Sequence, residues 1–132
     1  MRFALMAGLI LIVAACSSRL PEATYYNQAK KAYTSQKFNE AVENYEALVE
    51  YYPKSVYRAE SLFLLGYINA NDIKNYDAAK KYYGMLIEEY PDHELVTSAK
   101  FEIQNLGKDV NEMPFLKNVS SDSSDAVTTT EH

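Results

Sequence analysis

Apolar side chains recur every three or four positions through most of the chain, the spacing of one face of a helix rather than the alternation of a strand. Ala41, Tyr45, Leu48, Val49 and Tyr52 mark one such face. Ala79, Tyr82, Tyr83, Leu86, Ile87 and Tyr90 mark a second. Both runs stop at a proline, Pro53 and Pro91, which lacks an N–H for the helical ladder and pushes its predecessor out of the α region. Asn39 and Asp77 stand where each helix is expected to take its N-cap. A further helix precedes each of these. Residues 22–35 carry Tyr25, Ala29, Ala32 and Tyr33 on one stripe, and residues 55–71 carry Ala59, Leu62, Phe63 and Gly66. Val96, Ala99, Ile103 and Leu106 predict a last helix over 93–107, with Gly107 as its C-cap. Five helices joined by short turns, with no strand signal, make an all-α fold.

The pattern is also duplicated. Residues 39–53, NEAVENYEALVEYYP, return as residues 77–91, DAAKKYYGMLIEEYP. At a shift of 38, Ala41/Ala79, Tyr45/Tyr83, Leu48/Leu86, Glu50/Glu88, Tyr52/Tyr90 and Pro53/Pro91 are identical. Six identities in fifteen ungapped positions are enough to read the chain as repeated helix pairs.

Leu65-Gly66 on the first helix of a pair, followed by Ala41-x3-Tyr45 or Ala79-x3-Tyr83 and a distant Pro53 or Pro91 on the second, resembles the signature of the tetratricopeptide repeat. The resemblance implies an antiparallel helix-pair solenoid of two repeats, about 22–54 and 55–92, plus a closing helix. Small residues in that family let the two helices of a unit approach, and the aromatic is expected to fill the groove to the next unit. Two departures stand out. Pro53 to Gly66 is longer than the family's spacing, so the first helix of the second unit is expected to gain nearly a turn. One further residue lies between Gly66 and Ala79 than between Ala29 and Ala41. In the first unit Gln28-Ala29 replaces Leu-Gly, as suits a unit at the edge. The lengthened helix and the Tyr52-Pro53-x-Ser55 hinge are similar to BamD-like outer-membrane assembly lipoproteins and to the repeat domain of the Tol–Pal-associated cell division coordinator.

The amino-terminal stretch has a different character. Met1-Arg2 is followed by an apolar run from Phe3 to Ala15, about 20 Å long as a helix against a hydrocarbon core of roughly 30 Å. A positive start, a short apolar run and a small-residue exit predict a signal peptide over residues 1–15. Val13-Ala14-Ala15-Cys16 resembles the lipobox of bacterial lipoproteins. That resemblance implies cleavage before Cys16 and acylation of its thiol, with residues 16–21 as a short linker. Two or three acyl chains hold a protein on a bilayer essentially permanently, whereas one does not. Ser17, where an aspartate would resemble an inner-membrane retention signal, favours the outer membrane, facing the periplasm. At the other end, residues 109–116 are expected to form a short turn, with Met113, Phe115 and Leu116 folding back onto the last helix. Residues 117–132 are polar and low in complexity, the composition of a disordered tail.

Composition narrows the chemistry. A net charge of −5 with no basic cluster argues against nucleic acid as a partner. One cysteine excludes an internal disulfide. Asp92-His93-Glu94 is the sole compact run of ligand-type residues, and consecutive residues at a helix start diverge rather than converge on an ion. Neither a Gly-rich phosphate loop nor a nucleophile motif occurs, so no enzyme, cofactor or metal is expected. Lys80-Lys81 and Glu88-Glu89 read as solvated faces.

In the repeat family the surface with functional potential is lined by the first helix of each pair. Carried over position by position, it comprises Tyr26, Lys30 and Tyr33, then Phe63 and Tyr67, then Phe101 and Asn105. Aromatic rings with polar handles suit peptide recognition. The expected role is a membrane-tethered scaffold that binds an envelope protein or peptide, in outer-membrane assembly or Tol–Pal-type processes. The alternative is a structural, self-associating lipoprotein that contacts peptidoglycan without a dedicated protein client.

Overall fold

The computed structural model describes residues 19–108. The leader, the Val13–Cys16 motif, the turn expected over 109–116 and the tail lie outside the described residues. Within them the order is α1 (Glu22–Thr34), α2 (Phe38–Tyr51), α3 (Arg58–Ile68), a π-helical turn (Asn69–Ile73), α4 (Tyr76–Glu89) and α5 (Val96–Asn105). Each helix packs on the next in sequence, and α3 also touches α5. The all-α reading stands: two antiparallel pairs, α1/α2 and α3/α4, are closed by a fifth helix.

The repeat explains the core. Ala41 and Ala79, Tyr45 and Tyr83, and Leu48 and Leu86 are all at most 1% exposed. Leu62, Leu65 and Ile68 of α3 join them from the middle of the stack, each such side chain contributing about 1.5–3 kcal/mol by leaving water. Gly66 is where glycine is obligatory. A Cβ built there would lie 2.6 Å from the Tyr83 ring, so the close approach of α3 and α4 depends on its absence. Phe63 completes this contact with a ring centroid 5.5 Å from that of Tyr83. The Tyr83 hydroxyl is buried without a partner, which marks the ring rather than the phenol as the packing element.

Four expectations about the ends of elements need correction. The second helices begin before Asn39 and Asp77: their N-caps are Lys37 and Asn75, and the Asn75 side chain accepts the Ala78 N–H at 3.1 Å. Each cap follows a left-handed residue, Gln36 at φ 59° and Lys74 at φ 64°, so the chain turns earlier than the cap preference suggested. The added residues between Pro53 and Gly66 do not lengthen α3. They form the turn ahead of Arg58, where Ser55 Oγ accepts the Tyr57 N–H at 3.1 Å. The extra residue between Gly66 and Ala79 is absorbed by the π-helical turn, whose wider loop closes with Asn75 N–H on the Asn69 carbonyl at 2.8 Å. The last helix starts at Val96 rather than 93, because Tyr90–Leu95 is spent on turns and the Leu95 N–H bonds His93 Nδ1 at 3.2 Å. Gly107 follows its end with φ +73°.

Candidate protein-binding face

The first helices of each unit, α1, α3 and α5, share one side of the stack, with α2 and α4 on the other. Counting along the repeats, Tyr26, Phe63 and Phe101 occupy one position, and Lys30, Tyr67 and Asn105 another. Their fates differ. Tyr26 is only 8% exposed, whereas Phe63 is half-buried and Phe101 is 46% exposed. The cause is the neighbour: Tyr57, from the turn that opens the second unit, stacks on Tyr26 at 4.5 Å, and Tyr45 meets it edge-on at 6.1 Å. Burial and the Glu60 carboxylate push the Tyr26 phenol well above its ordinary range. Tyr26 therefore belongs to the core, and its expected place as a groove-lining residue is corrected.

The other six remain accessible in whole or part. Lys30 is exposed and holds its ammonium 5.2 Å above the Tyr26 ring. Tyr33 is half-buried against Phe38, ring centroids 5.8 Å apart. Burial raises its phenol, with Asp72 and Tyr67 adding to the effect. Tyr67 is 36% exposed. Asn105 spends its amide N–H on the Phe101 carbonyl at 2.8 Å, which leaves its oxygen free to accept. Val56, Glu60, Phe63, Leu64, Glu94 and Leu95 line a recess at the amino-terminal ends of α3 and α5, and Val56 is 83% exposed. This face joins apolar rings to a few polar atoms of fixed direction, the composition of a surface that holds polypeptide. Among the described residues no group of three metal-ligating side chains converges, and no helix is long and apolar enough to cross a membrane.

Sequence reasoning missed the polar ties behind this face. Arg58, 8% exposed, donates from Nε to Glu89 Oε2 at 2.8 Å and from Nη2 to Glu89 Oε1 at 3.0 Å. Its Nη1 bonds the Val49 carbonyl. One guanidinium at the start of α3 thus joins the last turns of α2 and α4. Glu89, read as part of a solvated face, is half of this pair. The Tyr82 hydroxyl donates to Glu46, tying α4 to α2 on the opposite side, and the Tyr52 hydroxyl donates to the Leu20 carbonyl at 2.6 Å. Arg58 stands in a polar opening, with Glu60 and Ser61 beside it, so nothing local marked it as buried. Its partner, 31 residues away, was no better marked.

A family model described as tetratricopeptide repeat matches residues 23–55 and 60–93, together about half of the chain. The two matches fall on α1/α2 and α3/α4. Comparison with curated proteins and with solved structures gives no match.

Proposed function

This chain belongs to the tetratricopeptide repeat family, and from that premise we propose that it is a protein-binding scaffold tethered to a membrane of the bacterial cell envelope. The observation that carries the binding role is the face of α1 and α3, where Tyr67 and Lys30 stay exposed and Tyr33 and Phe63 are half-buried. Solenoids of this kind use such faces for other polypeptides, and nothing in the chemistry of this one calls for catalysis. The tether rests on Val13-Ala14-Ala15-Cys16 after a short apolar run. The Tyr52-Pro53-x-Ser55 hinge, similar to that of outer-membrane assembly and Tol–Pal-associated repeat proteins, supports a place in such processes.

Site-specific photo-crosslinking in cells tests the binding role. A crosslinker at Tyr67 of the full chain should capture a discrete envelope protein, and one at Lys80, on α4, should not. Equal capture from both positions, or from neither, overturns the reading. Cys16→Ala should abolish acyl labelling and leave an unprocessed precursor. Acyl labelling that persists in this variant removes the tether.

A further inference from the structure

The stack ends in a cavity. About 540 Å³ of open space lies where the π-helical turn and the start of α4 meet the carboxy-terminal half of α5. Its apolar wall is Ala70, Tyr76, Phe101 and Leu106, and Lys74 and Lys108 stand at its edge. Tyr76 is 41% and Phe101 46% exposed. These are two of five large apolar side chains left open among the described residues, and both belong to this one cavity. In the first unit the position of Phe101 is Tyr26, which the following unit covers with Tyr57. On α5 that position has no cover among the described residues.

The chain itself leaves from this cavity. Lys108 is part of its wall, and Gly107, left-handed at φ +73°, turns the backbone off α5 against the Tyr76 ring. Beyond Lys108 come Asp109-Val110-Asn111-Glu112 and then Met113-Pro114-Phe115-Leu116, the longest apolar run between α5 and the end of the sequence. Phe115 is seven residues past Lys108 and reaches at most about 25 Å, ample for a return to a wall that contains its own starting point. The charges agree. The segment carries Asp109 and Glu112, opposite in sign to Lys74 and Lys108, and the one acid in the wall, Glu102, has its carboxyl raised by burial.

We propose that Met113-Pro114-Phe115-Leu116 of the same chain docks in this cavity, Phe115 against Phe101 and Tyr76 and Glu112 beside Lys74 and Lys108. The segment closes the open end of the repeat array as Tyr57 closes the unit before it. This accounts for an exposed aromatic pair at the point where the chain departs.

The sequence has no tryptophan, so Phe115→Trp in the full chain is a single reporter. Its emission should be blue-shifted relative to the denatured protein and shielded from a soluble quencher. Phe101→Asp should abolish both effects, with the helical circular dichroism unchanged. The Lys74→Glu, Lys108→Glu pair, on exposed positions, should weaken them without touching any apolar contact. A solvent-exposed reporter in the parent overturns the proposal. So does a blue shift that survives both sets of changes, which locates the indole in lipid or detergent. A shift that fades on dilution overturns it as well, because a second copy then supplies the segment or the cavity.

Discussion

The two repeats solve the same packing problem with different residues. Each has a buried tyrosine on its second helix, Tyr45 or Tyr83, and a small buried residue on its first, Ala29 or Gly66, and Gly66 lies against the Tyr83 ring. In the second unit the fit leaves no room for a methyl group. In the first, Ala29 carries one and is still 0% exposed. The units also differ where the first helix begins. The second anchors itself through Arg58 and Glu89. The first has Pro21 and Tyr51 at those positions and makes its contacts with rings. Tyr25 packs 6.0 Å from Tyr51 and 6.4 Å from Tyr52, and Arg19 lies 4.7 Å above the Tyr51 ring. The inner unit, with neighbours on both sides, combines a glycine under its tyrosine with a buried charge. The outer one relies on aromatic area and accommodates the methyl of Ala29.

The strongest way to break this comparison is to remove each tyrosine in turn. Tyr45→Ala and Tyr83→Ala should each cost about 3–5 kcal/mol by urea denaturation, the usual cost of emptying a buried aromatic site. The two losses should be similar if the units share one core. Next comes the ion pair. Glu89→Ala strands a buried guanidinium and should cost about 2–3 kcal/mol, less than the fully buried case because Glu89 is partly solvated. Tyr51→Ala, at the matching place in the first unit, should cost less. A smaller effect separates the two small residues. Gly66→Ala should destabilise by about 1–2 kcal/mol, overpacking against Tyr83 outweighing the better helix propensity of alanine. Ala29→Gly should cost about 1 kcal/mol in helix propensity, with the loss of a buried methyl added to it. Were Gly66→Ala neutral by thermal melting, the claim that Tyr83 leaves no room for a methyl at this position would be wrong. Least of all, Gln36→Gly and Lys74→Gly should each stabilise by about 0.5–1 kcal/mol, since both residues are left-handed in the turn between paired helices. Here the two units should respond alike.

The legible parts of this fold were those written as local periodicity. Ala41, Tyr45 and Leu48, with their copies at 79, 83 and 86, all went where their spacing put them, because burial of one helical face decides it. Pro53 and Pro91 fall just beyond the helices they were expected to stop. The missed features depend on contacts with distant sequence or on turn geometry. Asn75 caps α4 because Lys74 takes a left-handed turn, which no residue preference announces. The residue added after Gly66 disappears into a π-helical turn, a change in hydrogen bonding that leaves the apolar pattern intact. On the candidate face, Tyr67 and Phe101 could be placed by repeat position alone. Tyr26 could not, since its burial comes from Tyr57 in the neighbouring unit, and the notional third copy of that arrangement has no counterpart on α5.

Arg58 has a wider consequence for how such a molecule works. With three of its donors committed to the tips of α2 and α4, a single side chain sets the pitch at which one unit follows the other. The two units should then rock as one stiff body, and a visiting polypeptide would find its binding surface already formed. Unfastening that bolt would leave each pair standing while the angle between them drifted.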